Sequence, residues 1–394
     1  MSETTPVVYL KKPLPPRFIQ FGWAATSIGL ILVLAAYAVD HTRASYNNII
    51  GLTLLAGISV GALLLVALEY LAGAVWSTPF RRVMEFVAAA TPLVILFALP
   101  LFFDLHNLYH WTNAAIVQSD TILRNKTPYL NVNFFMIRFA VFVGLWLLFN
   151  FFLSKNSKKQ DATKDQKLTT ANIRWSTLFV PVFALSMTFF GIDWVMSLEA
   201  HWFSTIFGVY FFIGSVLTAL AVATFLIVTL NESGYFVAGL GKDHYYSLGA
   251  LIFAFTNFWA YIAFSQFMLT WYANVPEETF WFIARWHNGW QYASVLLIIV
   301  KFAVPYGVLL SQPSKKDPAK LKFIGAWMVG AQFFDLYWLV MPSYSKSFVF
   351  GWMELGFPLL VVGLIALVFA AKYNNNNLVP IGDPKLQRGI NFHL

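Results

Sequence analysis

The chain has 394 residues, of which 59% are apolar and only 11% charged, with a mean hydropathy of +0.65. A soluble domain carries roughly 25% charged residues, so this composition marks a polytopic membrane protein. The net charge of +8 does not indicate nucleic-acid binding, because the basic residues cluster in particular loops, and the lack of cysteine excludes disulfides, thiolate-held iron–sulfur clusters, thioether-attached haem and cysteine acylation.

In chain order, a polar, Pro-rich arm over residues 1–18 precedes an apolar run too long to be the core of a signal peptide. Ten apolar runs follow at 19–39, 48–75, 83–103, 132–153, 175–198, 204–230, 247–272, 290–310, 321–341 and 350–371. Each is near the twenty or so residues that cross a bilayer core. Helices are expected, because no open sheet satisfies its backbone in lipid. The expected fold is therefore all-α, with ten transmembrane helices: four over 19–153 and six over 175–372. A Lys-rich loop over 154–174 joins them, and a tail over 373–394 follows.

Lys and Arg divide nineteen to five between the two sides of these spans, with Arg138 and Lys301 inside them. The bias places both termini in the cytoplasm. The loop 154–174 has little to bury and reads as a flexible linker, or as a docking strip for a partner or anionic lipid. The outer connection 104–131 contains His106, His110, Trp111 and Tyr129. Its length and aromatics predict an ordered cap.

A short internal repeat is visible: the fifth span ends in Asp193-Trp-Val-Met-Ser and the ninth in Asp335-Leu-Tyr-Trp-Leu-Val-Met-Pro. Both acids lie in the outer third of spans running in the same direction. Duplication of a four-helix bundle, spans 2–5 and 6–9, with the first and last spans outside, would produce this.

Charged groups persist in apolar segments mainly where protein or a water-filled cavity solvates them. Asp193 is followed closely by Glu199 and His201 in a tight connection, and Asp104, Asp335 and Glu354 lie at the same outer level. Three titratable groups at one depth suggest a proton exit or a headgroup pocket. Glu354 reads as merely solvated at the interface. On the inner side are Glu69 and Glu85, beside Arg81 and Arg82. Lys301 is eleven residues in from Trp290, about 16 Å at a helical rise. It needs a carboxylate, a cavity or a lowered pKa. Pro305, four residues on, removes the N–H that would meet the Lys301 carbonyl. Asp335 and Gln332 share a helix face and could equally be interhelical glue. All seven histidines fall in loops, ends or the tail, which argues against a bis-His haem bundle. His106 and His110, with only Asp104 near, are too few donors for a metal.

The stretches FGIDWVMSLEAHWFSTIFG, FMLTWYANVPEETFWF (267–282) and DLYWLVMP (335–342) together resemble NrfD-like, polysulfide-reductase-type integral membrane subunits. The likeness is to the second such subunit of bacterial alternative complex III, a quinol:cytochrome c or quinol:acceptor oxidoreductase, and spans nearly the whole chain. The resemblance implies ten helices in two four-helix bundles plus two peripheral ones, in a bacterial cytoplasmic membrane. It implies as partners a homologous NrfD-like membrane subunit, an iron–sulfur subunit, c-type cytochromes and a terminal oxidase, with haem c and iron–sulfur clusters in those partners only. It further implies no covalently bound cofactor here, no catalysis by this chain alone, and contact with menaquinone. Carried over, Asp193, His201, Trp202 and Tyr337 would line a quinone headgroup pocket. Asp193, Glu199, Asp335 and Asp104 would form an outer proton path, Glu69 with Glu85 an inner half-channel, and Lys301 the link between them. Two other readings of the residues stay open: a proton-coupled secondary transporter, and a purely structural membrane anchor.

Overall fold

A computed structural model describes residues 11–236 and 239–394, so the first ten residues of the N-terminal arm lie outside the described residues. Ten of its helices are long and apolar enough to cross a membrane: Pro16–Val39, His41–Ala72, Thr78–Phe103, Val132–Thr163, Gln166–Trp194, Phe207–Glu232, Lys242–Ala273, Trp290–Leu309, Pro318–Ser343 and Trp352–Asn375. They are called the first to tenth spans below. The protein is an all-α, multi-pass membrane protein, and the even number of spans puts its two ends on the same side. Span starts are fixed by side chains that accept from free N–H groups of the first turn: Asp40 from Arg43, Asn131 from Phe134, and Asp317 from Ala319 and Lys320. Ends are fixed by left-handed residues, Gly73 at φ 63° and Asn274 at φ 49°.

The second span is the hub. It packs on the third, fifth, sixth, ninth and tenth spans and is buried along almost its whole length. Gly57-x-x-x-Gly61 permits its close crossing with the sixth span. A Cβ at Gly61 would fall 2.9 Å from Ser215 O and Ala219 Cβ, and small residues are what let membrane helices approach this far. The first and tenth spans pair along their length at the side of this core, with most of the first facing outward.

The stretch 154–174 is not a flexible linker. The fourth span stays helical to Thr163 and the fifth begins at Gln166, leaving only Lys164 and Asp165 as the turn. Hydropathy falls after Leu153, but nothing in this polar sequence breaks a helix: it holds neither Gly nor Pro. Its polar groups bond across the seam, Gln160 Nε2 to Thr169 Oγ1 at 2.7 Å and Asn156 Nδ2 to Asn172 Oδ1 at 2.9 Å. Lys164 takes the left-handed φ of 53° and Asp165 caps the returning helix through Lys167 N.

The outer connection 104–131 is an ordered cap of short helices, Leu105–Leu108, His110–Thr112, Ala114–Ser119 and Thr121–Lys126. It is pinned by the buried Trp111 and by Tyr109, whose hydroxyl donates to Trp194 O at 3.0 Å. At the inner face the C-terminal tail folds back under the bundle. His244 Nε2 meets Gly389 O at 2.8 Å, and Asp383 reaches Arg81.

Candidate functional site

The expected convergence of Asp193, Glu199 and His201 does not occur. Asp193 is buried and faces the fourth span, where Arg138 Nη2 and Nε grip its two oxygens at 2.8 Å each. The Tyr129 hydroxyl donates to the same carboxylate at 2.9 Å, and the guanidinium lies 3.9 Å from the Tyr129 ring centroid. A carboxylate held bidentately and by a phenol has three of its roughly four acceptor sites taken up. His201 instead lies on the outer surface with Asp120, Nε2 to Oδ2 2.5 Å, and Glu199 joins neither group. Asp104 accepts from Asn107 at 2.5 Å and lies 3.5 Å from His41.

The expected headgroup residues are also dispersed. Trp202 stacks on Trp281 with centroids 4.3 Å apart, while Tyr337 donates to Val349 O on the far side of the ninth span. Glu354, expected at the solvated interface, is wholly buried. Arg43 Nε and Nη2 bind it at 2.8 Å each, with Asn47 and the Gly351 N–H completing the set. The bend before the tenth span brings Glu354 under the start of the second, where an arginine 311 residues away in sequence neutralises it.

The second bundle holds a different arrangement. Lys301, fully buried, donates to the carboxylate of Asp335 and to Gln332 Oε1, both on the ninth span. The Tyr210 hydroxyl donates to the other oxygen of Asp335. Lys301 Nζ is 4.8 Å from the ring centroid of Trp259. Gly214 on the sixth span makes the room: a Cβ there would stand 3.0 Å from Gln332 Oε1 and 3.4 Å from Lys301 Nζ. Asp335 and Gln332, one turn apart, thus serve one cation together.

Lys301 sits in a π-turn, Ile299–Ala303, in which Val304 N–H donates to Ile299 O. This changes which carbonyl Pro305 orphans. In the π register a residue bonds five back, so the missing N–H leaves Val300 O, not the Lys301 carbonyl. Val300 O accepts instead from Trp327 Nε1 at 2.6 Å. Local widening at functional positions is where π-turns recur.

Beside this network is a cavity of about 930 Å³ between the seventh and eighth spans and the short helix Pro276–Ala284. Tyr210 and Trp259 form its deep wall, which they share with the Lys301–Asp335 pair, and Arg285 stands at its outer end. Phe264, Trp271 and Ile298 on its rim are exposed on the lipid-facing surface. A smaller cavity of about 360 Å³ lies on the outer face between the cap and Trp202.

On the inner side Glu69 and Glu85 do meet, through Arg81. Its Nη1 donates to Glu69 at 3.1 Å and to Asp383 at 2.7 Å, and its Nε to Glu85 at 3.3 Å. Arg82 binds Asp161 at 2.6 Å and the carbonyls of Ser157 and Asn377. Among the described residues, Glu69 Oε2, Glu85 Oε2 and the Tyr70 hydroxyl are buried without a hydrogen-bond partner, although Glu85 Oε2 lies 3.9 Å from Arg82 Nε. Asp383 and Asp161, not expected as members, come from the tail and from the helical extension of the fourth span. Neither looked structured by hydropathy.

Fold and networks together define a ten-span membrane protein with ion pairs buried at several depths. No family model matches the chain, and no curated protein is similar to it.

Proposed function

We propose that the protein is a membrane core subunit of a respiratory quinol-oxidising complex of the alternative complex III type, and that its own part is to carry protons. The observation that supports this best is the Lys301–Asp335 pair, wholly buried in mid-span. Ion pairs at this depth are expensive, and pumps and transporters use such groups as relays. The Tyr210 hydroxyl donates to Asp335, so a phenol, a carboxyl and an ammonium stand in one line of hydrogen bonds, while Gln332 Oε1 accepts from Lys301 and holds it in place. The inner cluster of Glu69, Glu85 and Arg81 offers a second station, with carboxylate oxygens that accept no hydrogen bond among the described residues. In this reading quinol oxidation, haem and iron–sulfur chemistry belong to partner subunits in a bacterial cytoplasmic membrane, and menaquinone meets this chain at a surface shared with them.

The test begins with purification through a tag on this chain in mild detergent. Co-purifying c-type haem, seen in a reduced-minus-oxidised spectrum, is expected. A colourless single protein would favour a secondary transporter instead, for which a central Lys and a broken helix are also at home. The purified complex, reconstituted in vesicles, should then release fewer protons per electron when Lys301→Met and Asp335→Asn are combined. Full turnover with full proton release in that double variant would remove the relay role and leave a structural anchor.

A further inference from the structure

Arg285 is the anomaly among the buried arginines. It is buried, like Arg81, Arg82 and Arg138, yet among the described residues those three each hold a carboxylate and Arg285 holds none. Its Nε, Nη1 and Nη2 donate to the carbonyls of Trp338, Trp281 and Leu339 at 3.2, 2.9 and 2.8 Å. The guanidinium lies flat on Trp281, 3.4 Å from the ring centroid. A guanidinium has five N–H groups, so two remain. Glu199 attracts it only from beyond ion-pair distance. Burial pushes Arg285 down to about 9, so the group keeps its charge at neutral pH. An uncompensated buried cation is strongly unfavourable, and this one borders a cavity.

That cavity has the dimensions of a lipid chain. Its lining on and just beyond the seventh span runs from Trp259 to Asn274, fifteen residue steps or roughly 22 Å at the helical rise. One leaflet of hydrocarbon is about 15 Å thick. The cation is at the outer, headgroup end, and the shaft between is lined by Ala260, Ala263, Phe267 and Phe302. Phe264 and Ile298 leave the side open toward lipid. A neutral carbonyl head could accept a hydrogen bond from Arg285 but would leave its charge uncancelled; a carboxylate or phosphate would cancel it and take both free N–H groups.

We infer that the cavity between the seventh and eighth spans is a binding site for an anionic amphiphile, whose carboxylate or phosphate pairs with Arg285 while one acyl chain fills the shaft down to Trp259 and Phe302. The inference stands apart from the proton-carrying reading: it uses a different cation and survives if Lys301 carries nothing.

The ligand chemistry has two sources, a free fatty acid and an anionic phospholipid, and the test separates them. The protein in its native assembly is placed in phosphatidylcholine vesicles containing a trace of diazirine-bearing palmitate, or of phosphatidylglycerol with a diazirine in one chain. After irradiation, adducts are mapped by peptide mass spectrometry. Labelling is expected on 259–271 and 297–302. Excess unlabelled palmitate or phosphatidylglycerol, whichever is the true ligand class, suppresses it, and added phosphatidylcholine does not. Arg285→Gln lowers labelling about tenfold, the loss of one charge-assisted contact, and Arg285→Lys keeps most of it. Ala260→Trp blocks the shaft and abolishes labelling with Arg285 intact. If Arg285→Gln does not fold, the Ala260→Trp, Arg285→Lys and competition arms still decide. Absence of labelling, or suppression by menaquinone as effective as by palmitate together with labelling that Arg285→Gln leaves unchanged, overturns the proposal.

Discussion

In the first bundle Asp193 on the fifth span is held by Arg138 on the fourth and by the hydroxyl of Tyr129. In the second, Asp335 on the ninth span is held by Lys301 on the eighth and by the hydroxyl of Tyr210. Acid, cation from the preceding helix and phenol recur, so the internal likeness extends from a short string of residues to their partners. The depths differ. Arg138 is six residues from the outer end of its span, about 9 Å, against about 16 Å for Lys301. The cations differ too: a planar, bidentate guanidinium that locks its acid, against a single ammonium with three rotatable donors that readily changes protonation state. One motif thus serves as a clasp near the surface and as a candidate relay at depth, and depth and the choice of cation separate the two.

Removing each cation alone separates the two sites most strongly. Lys301→Met strands the Asp335 carboxylate in a fully buried place and is expected to destabilise the protein by about 3–5 kcal/mol. Pairing it with Asp335→Leu should restore most of that loss. Arg138→Met should cost about 3 kcal/mol, the low end of the same range, because Asp193 lies nearer the end of its span and keeps the Tyr129 hydroxyl. Thermal unfolding of the purified protein measures both. An Arg138→Met loss equal to or larger than that of Lys301→Met would show that depth does not separate the pairs.

The phenols come next. Tyr210→Phe and Tyr129→Phe each remove one hydrogen bond to a charged acid, worth roughly 1.5–3 kcal/mol. The larger loss is expected at Tyr210, which is wholly buried against Asp335, and the smaller at Tyr129, which is only partly buried. Trp327→Phe has no counterpart in the first bundle. It leaves Val300 O without its indole donor and is expected to cost about 1 kcal/mol, with the π-turn around Lys301 loosening toward a regular helix. Amide exchange over 297–304 reads that change, and unaltered exchange would mean that Pro305 alone sustains the turn.

Much of the architecture was legible because hydropathy and charge bias report directly on what lipid tolerates. The ten spans and their shared-side termini follow from run length, and the common face of Gln332 and Asp335 follows from helical spacing, but not that both bind Lys301. What was hidden depended on helix rotation. Asp193 looked joined to Glu199 and His201 because they are near in sequence, but its side chain points to Arg138, 55 residues away, and no single-chain pattern fixes that angle. The sequence marks Arg138 only as an intramembrane charge. The 154–174 hairpin is hidden for the opposite reason: apolar run length ends where lipid ends, while the helical backbone continues. The burial of Arg285 has no local signature in the sequence, because it depends on the fold of Pro276–Ala284 against Trp338.

The smallest expected effect separates the outer ends of the two bundles. The first is closed by a carboxylate clasp, His201 on Asp120, reinforced by Lys126 Nζ donating to Ala200 O at 2.6 Å; the second presents Arg285 with no acid. The His201 ring, then the N–H groups of Leu123 and Ile122, hold the Asp120 carboxyl below its ordinary range. A folded-state pKa that is lowered contributes stability above the unfolded value, near 3.9 for Asp, and that contribution is lost as pH falls through the lowered value. The cap should therefore hold steady from neutral pH to about 4 on this account and loosen only below. Hydrogen exchange of Ala114–Lys126, compared with the helix Pro276–Ala284, tests it. Acid should speed exchange in the first segment more than in the second, and Asp120→Asn should remove the difference. Lys126 keeps its carbonyl partner throughout, so the cap should loosen at its Asp120 end before it detaches near Lys126.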